Sequence, residues 1–148
     1  MRIKRFESFG AKKFVWIHGL PGSGKTYLAN QINQNNDYTV LDDINDMSKV
    51  QAEMDKGNNI ILSSPYFEKY IGMMSQEARL RKALDGSDYE LEEIWFENNP
   101  ENCIKNINNT KDHKIKASIL APEIMELSTR YRIPEGSKVI PVGQNDIP

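Results

Sequence analysis

The chain has 148 residues and a mass of 17.0 kDa, which fits one domain and is too short for two of ordinary size. Hydrophobic residues make up 39% and charged residues 27%, with a mean hydropathy of −0.62, so a core can form beneath a well-hydrated exterior. A net charge of −2 and a pI of about 5.7 exclude a protein that holds duplex nucleic acid mainly by neutralising phosphates, and the single cysteine, Cys103, excludes disulfide scaffolds and thiolate metal clusters.

Residues 1–12 read as an N-terminal extension. Its basic start, Met1, Arg2, Lys4 and Arg5, leads to Glu7 rather than to an apolar signal core. No stretch approaches the roughly 18 to 20 apolar residues of a membrane helix, so the sequence predicts a cytoplasmic protein with no membrane partner.

Phe14-Val15-Trp16-Ile17 is an unbroken apolar run, as expected of a strand covered on both faces. From Lys25 to about Asn33, Leu28 and Ile32 share a helical face. Tyr38 to Leu41 reads as a second strand, delivering Asp42 and Asp43 at its C-terminal end. Asp46 then caps a helix with Met47, Val50 and Met54 on one side, stopped by Gly57.

A third strand spans Asn59 to Leu62 and runs into Ser63-Ser64-Pro65. A longer helix follows, with Phe67, Ile71, Met74 and Ala78 on its apolar face and Asp85-Gly86 as its break. Tyr89 to Phe96 is a fourth strand. Asn99-Pro100-Glu101 starts a helix whose buried side is Ile104 and Ile107. The acids from Asp85 to Glu101 read as a solvated face.

Residues 109–117, with Lys111, His113, Lys114 and Lys116, read as a loop. The last helix begins around Ser118 or Pro122, and Lys138 to Val142 closes the chain as an edge strand, where Pro141 is tolerated. Strands alternating with helices predict one α/β domain over 1–148, three layers deep, with a mainly parallel five-stranded sheet.

Between the first strand and the first helix lies Gly19-Leu20-Pro21-Gly22-Ser23-Gly24-Lys25-Thr26, which satisfies G-x-x-x-x-G-K-[ST] in the context that gives this motif meaning. Its glycines let successive backbone N–H groups curl around phosphate oxygens, and the helix N-terminus adds positive potential. Lys25 reaches the β- and γ-phosphates as a point charge, and the Thr26 hydroxyl serves the Mg²⁺ that bridges them. The pattern implies a nucleoside triphosphate such as ATP with Mg²⁺. About 120 residues follow it, too few for a motor's extra domain, and there is no guanine-reading N-K-x-D pattern.

With these residues the chain resembles the phosphate-binding-loop (P-loop) kinases of the polynucleotide 5′-hydroxyl kinase and zeta-toxin-like group, many of them encoded by bacteriophages. The resemblance implies the P-loop NTPase fold, with strand order 2-3-1-4-5 by analogy with nucleotide kinases. It implies transfer of the γ-phosphoryl of ATP to an acceptor hydroxyl on a nucleic-acid end, nucleoside or nucleotide. Asp43 would be the general base, a role its place at a strand's C-terminal end also suits, with Asp42 as the alternative base and either one able to hold a water of the metal shell.

The stretch from Cys103 through Lys116 to Tyr131 is similar to that group's lid, with Lys114 and Lys116 on the phosphates. This lid contains no arginine, and lysine lacks the bidentate fork that arginine offers a phosphoryl group. Arg79, Arg81, Arg130 or Arg132 would then supply the charge. Ser63 and Ser64 also end the third strand where relatives present an aspartate. Two other readings remain open: a nucleotide-binding regulator with weak NTPase activity, and a toxin-like kinase acting on a nucleotide sugar. Tyr66 and Phe67 are candidates for stacking on a base. Trp16 and Trp95 read as core, Cys103 as a buried apolar residue, and His18 and His113 carry no chemistry.

Overall fold

The computed structural model describes residues 12–42, 46–63, 76–109 and 114–143, with side chains left undescribed at Gln76 and over 114–119. Five strands form one sheet: β1 (Lys12–His18), β2 (Thr39–Asp42), β3 (Ile60–Ser63), β4 (Tyr89–Phe96) and β5 (Val139–Ile140). Their order is β2-β3-β1-β4-β5, the order the resemblance implies, and every pairing is parallel, in line with the mainly parallel sheet that the alternating elements predict. The N-terminal arm, Asp43, residues 64–75 and residues 110–113 lie outside the described residues.

Among the described residues, five helices cover the two faces: α1 (Lys25–Ile32), α2 (Met47–Asp55), α3 (Gln76–Asp85), α4 (Pro100–Asn109) and α5 (Lys114–Arg130). Because side chains alternate along a strand, β1 feeds both cores. Val15 and Ile17 join Ile61, Ile94 and Phe96 beneath Ala29 of α1, Cys103 and Ile107 of α4, and Ile124 and Leu127 of α5. Phe14 and Trp16 join Leu41, Ile60 and Leu62 beneath Val50 and Met54 of α2 and Leu80 and Leu84 of α3. The result is a three-layer α/β/α domain.

Several helix ends follow from local chemistry. Asp46 caps α2, accepting from the Ser48 backbone N–H at 2.9 Å, and Gly57 follows the helix with φ +79°. Asn99 caps α4 by accepting from Asn102 N–H at 3.1 Å, with Pro100 in the first turn.

Three expectations are corrected and a fourth is extended. In α3 the buried side is Leu80 and Leu84 while Ala78 is exposed, since the predicted stripe continues onto Arg81 and Lys82, whose charges do not enter the core. In α4 Ile107 is buried as expected and Ile104 packs against the core only partly covered, but the deepest positions are Cys103 and Asn106. The last helix starts at Lys114, so Lys114 and Lys116 stand in its first turn rather than in a loop; Pro122 lies within it, its missing N–H offset by the packing of Ile124 and Leu127. Finally, β5 is only Val139–Ile140. It is tied by Trp95 N–H to Lys138 O and Glu97 N–H to Ile140 O, and Pro141, which lacks an N–H, ends the ladder.

Beneath the end of β1 lies a column of rings. The Arg81 guanidinium sits 4.7 Å from the Trp16 ring centre. Trp16 stacks on His18 at 4.7 Å and His18 on Trp95 at 3.6 Å, nearly parallel. His18 Nε2 meets Glu93 Oε1 at 2.8 Å, and Glu93 takes both Nη atoms of Arg81 at 2.8 Å, while Arg81 also binds Glu77. The Tyr131 hydroxyl donates to Phe96 O at 2.6 Å and lies 3.3 Å from His18 O, fixing the strand end from the other side. Glu93 is therefore no part of a solvated acidic face, although Asp88, Glu90 and Glu92 are exposed.

Burial pushes the Glu93 carboxyl up, but the hydrogen bonds from Arg81 and then His18 outweigh it and bring it from the ordinary 4.5 to about 2. A carboxyl depressed in the folded state contributes stability above its unfolded value, and that contribution is lost as pH falls through the folded one. Urea midpoints measured as pH is lowered from about 4.5 to about 2 will fall in the wild-type protein, and Glu93→Gln will flatten that part of the curve.

Candidate phosphate-binding site

All five strands point the same way, so their C-terminal ends share one edge of the sheet, the edge where open α/β sheets place ligands. Along it, Asp42 of β2 pairs in register with Ser63 of β3, and Ser63 with Ile17 of β1. The chain leaves β1 at His18 and enters the Gly19 to Thr26 loop at that edge.

The loop closes through Ser23 N–H donating to Leu20 O at 3.1 Å. Gly22 has φ +87° and Gly24 φ +109°, conformations that residues with a Cβ rarely adopt. A Cβ at Gly22 would also run into the carbonyl of Cys103, so α4 packs directly against the turn. Lys25 opens α1 and is only 6% exposed; its ammonium donates to Gly19 O and Leu20 O, each at 2.9 Å. It is thereby held over the loop rather than extended into solvent. Ser23 Oγ is buried within the loop and has no hydrogen-bond partner among the described residues, a polar atom that an incoming ligand can satisfy.

Beside the loop, Thr26 Oγ1 donates to Asp42 Oδ2 at 2.8 Å, and Ser63 Oγ donates to Asp42 Oδ1 at 3.2 Å. Three hard oxygen groups from α1, β2 and β3 thus converge. Mg²⁺ is commonly held by one or two protein oxygens together with waters and substrate phosphates, and Thr26 and Asp42 fit that donor chemistry. The carboxylate that Ser63 does not provide comes from the adjacent strand.

The sequence-predicted residues Gly19, Leu20, Pro21, Gly22, Ser23, Gly24, Lys25, Thr26 and Asp42 are brought together. Asp43, His113, Tyr66 and Phe67 lie outside the described residues, and the side chains of Lys114 and Lys116 are not described. Of the arginines considered as phosphoryl ligands, Arg81 is taken up by Glu93 and Glu77, Arg130 binds Glu126 at 3.1 Å, and Arg132 donates to Tyr131 O. Arg79 is exposed on α3. Cys103 is buried, its thiol pushed up to about 11 chiefly by that burial, which suits an apolar packing role.

Two groups of residues escape a reading based on apolar periodicity. Asn106, on the buried stripe of α4, donates to Gly22 O and Gly143 O. Glu97 accepts from Val142 N–H at 2.9 Å and Asn102 donates to Val142 O at 3.0 Å. The signal for Asn106 is its spacing: it lies three residues after Cys103 and one before Ile107, a polar residue on an otherwise apolar helical face.

No family model and no curated protein matches the chain. Among solved structures, the fold is similar to that of a gluconokinase from Sinorhizobium meliloti 1021, with a TM-score of 0.55 and 15% identity, over 90% of this chain and 83% of that one. The chain thus shares the α/β architecture of that structure. Among the described residues, no helix is long and apolar enough to cross a membrane.

Gly22→Ala should lower folding stability by about 1–3 kcal/mol, because the methyl group meets both an unfavourable φ and the α4 backbone. Gly86, which has open space around it, is the control: Gly86→Ala should change stability by no more than about 0.5 kcal/mol in the same denaturant titration.

Proposed function

We propose that this protein is an ATP-dependent kinase that transfers the γ-phosphoryl group to a hydroxyl of a nucleic-acid end, nucleoside or nucleotide. The observation that carries the reading is the loop mouth itself: the Lys25 ammonium fastened to Gly19 and Leu20 carbonyls, beside the Thr26–Asp42 contact. Loop amides and Lys25 would hold the β- and γ-phosphates and neutralise the charge that develops on them during transfer. Thr26 and Asp42 would hold Mg²⁺, which when bound draws charge from the phosphate oxygens.

In the reaction, a bond forms between the acceptor oxygen and the γ-phosphorus while the bond from that phosphorus to the β,γ-bridging oxygen breaks, releasing ADP. Asp43 takes the acceptor's hydroxyl proton. The engagement of Asp42 with Thr26 and Ser63 favours a metal-shell role for it and leaves the base to its neighbour. Lys114 and Lys116, in the first turn of α5, are assigned to the lid over the phosphates.

A small-molecule acceptor is a second reading, favoured by the likeness to a gluconokinase. The test incubates the protein with Mg²⁺ and γ-labelled ATP, alone and with 5′-hydroxyl oligonucleotides, nucleosides, nucleoside monophosphates, nucleotide sugars and gluconate. Label on an acceptor supports the kinase and names its substrate. Tight ATP binding without transfer to any of them supports a regulator. Asp43→Asn should lower kcat roughly 10²–10⁴-fold with the KM for ATP little changed. Asp42→Asn should instead raise the Mg²⁺ concentration needed for half-maximal rate, and Lys25→Ala should weaken ATP binding itself.

A further inference from the structure

The phosphate loop is braced from behind by a side chain that belongs to neither the motif nor the strand edge. Asn106, only 2% exposed, directs its side-chain amide at two backbone carbonyls: Gly22 O at 3.0 Å and Gly143 O at 2.8 Å. One NH₂ group has two hydrogens, and this geometry spends one on each.

The contact matters because of what it holds. Glycine populates both signs of φ readily, so Gly22 does not by itself select the +87° conformation found here. Turning the peptide between Gly22 and Ser23 over would move the Gly22 carbonyl off Asn106 and swing the Ser23 N–H away from Leu20 O. In the observed orientation that peptide is pinned at both ends, by Asn106 on its oxygen and by Leu20 on its nitrogen. A nest of amides binds an anion only when successive N–H groups converge, so the orientation of this one plane affects the aim of those beside it.

The second hydrogen reaches the segment leaving β5, which is already fastened at Val142 by Glu97 and Asn102. Asn106 therefore references the loop to a fixed part of the same face.

We infer that Asn106 is a positioning residue for phosphate binding: it selects the peptide orientation at Gly22 and ties the phosphate loop to the exit of β5. This rests on the reading of the same loop as a nucleotide-phosphate site. Asn106 touches no phosphate and acts through the backbone of Gly22.

The test titrates wild-type protein and Asn106→Leu calorimetrically with inorganic tripolyphosphate and with ATP, both with Mg²⁺, at a temperature where circular dichroism shows both proteins folded. Leucine keeps the branched shape and removes both donors. The expected result is binding of both probes by the wild type and binding at least about tenfold weaker by Asn106→Leu for each. In ¹⁵N spectra of the wild type, tripolyphosphate should also shift the Asn106 side-chain NH₂ and slow its exchange. Wild-type protein that binds neither probe overturns the nucleotide reading, and the role of Asn106 with it. Wild-type binding that Asn106→Leu matches within twofold overturns the role of Asn106 alone. Should Asn106→Leu not fold, the wild-type spectra decide: an Asn106 NH₂ signal unmoved by bound tripolyphosphate overturns the inference.

Discussion

The parallel, in-register pairing of β2, β3 and β1 is the constraint from which the site follows. Since Asp42 stands opposite Ser63 and Ser63 opposite Ile17, the three strand ends finish level with one another, and whatever follows each of them meets at one place. The glycine-rich loop leaves β1 there, and α1 begins with Lys25 and Thr26 directly after it. A slip of one residue in either pairing would send Asp42 to the opposite face of the sheet and part it from Thr26. The register is held where the burial is deepest: Phe14, Trp16, Ile60 and Leu62 on one face, Val15, Ile17 and Ile61 on the other. Hydrophobic packing and the geometry of the site are in this sense one problem, solved by the same short strands.

Electrostatics near the site is largely committed to structure. The guanidinium most deeply embedded in the described fold, that of Arg81, is bound to two carboxylates and stacked on an indole, so moving it to a phosphate would strand Glu93 beside a buried imidazole. Breaking a part-buried ion pair in this way is costly, because the remaining charge has already given up much of its water. Lysines thus carry the cationic chemistry proposed here: Lys25 at the loop and Lys114 and Lys116 at the start of α5. A point charge neutralises a phosphate but does not orient it as a planar fork does.

How much of this was legible in the sequence differs by the kind of signal. The loop is plain because its glycines, lysine and threonine are each required by a local geometry, and the β1 run is plain because continuous apolar sequence leaves a strand few alternatives. Asp46 and Asn99 announced their helices because capping is also local. Tertiary partners were less visible. The apolar spacing that ends at Ala78 does not give the phase of α3, which buries Leu80 and Leu84 instead. The start of α5 is hidden in the sequence because Pro122 reads as a boundary unless the packing of Ile124 and Leu127 is known. Glu93 and Asn106 are obscure for a related reason: in sequence each has polar or apolar neighbours that suggest an ordinary surface or core position, while its partners, Arg81 and Gly22, lie on other elements.

The ring column at the end of β1 has an optical corollary. The chain contains two tryptophans, and both stand against His18, Trp95 face to face at 3.6 Å and Trp16 at 4.7 Å. His18 is the residue from which the glycine turn departs. Tryptophan emission from this molecule therefore originates at one spot, beside the residue that leads into the loop, so the protein carries a native fluorophore pair trained on the place where its chemistry is expected, without any dye or label.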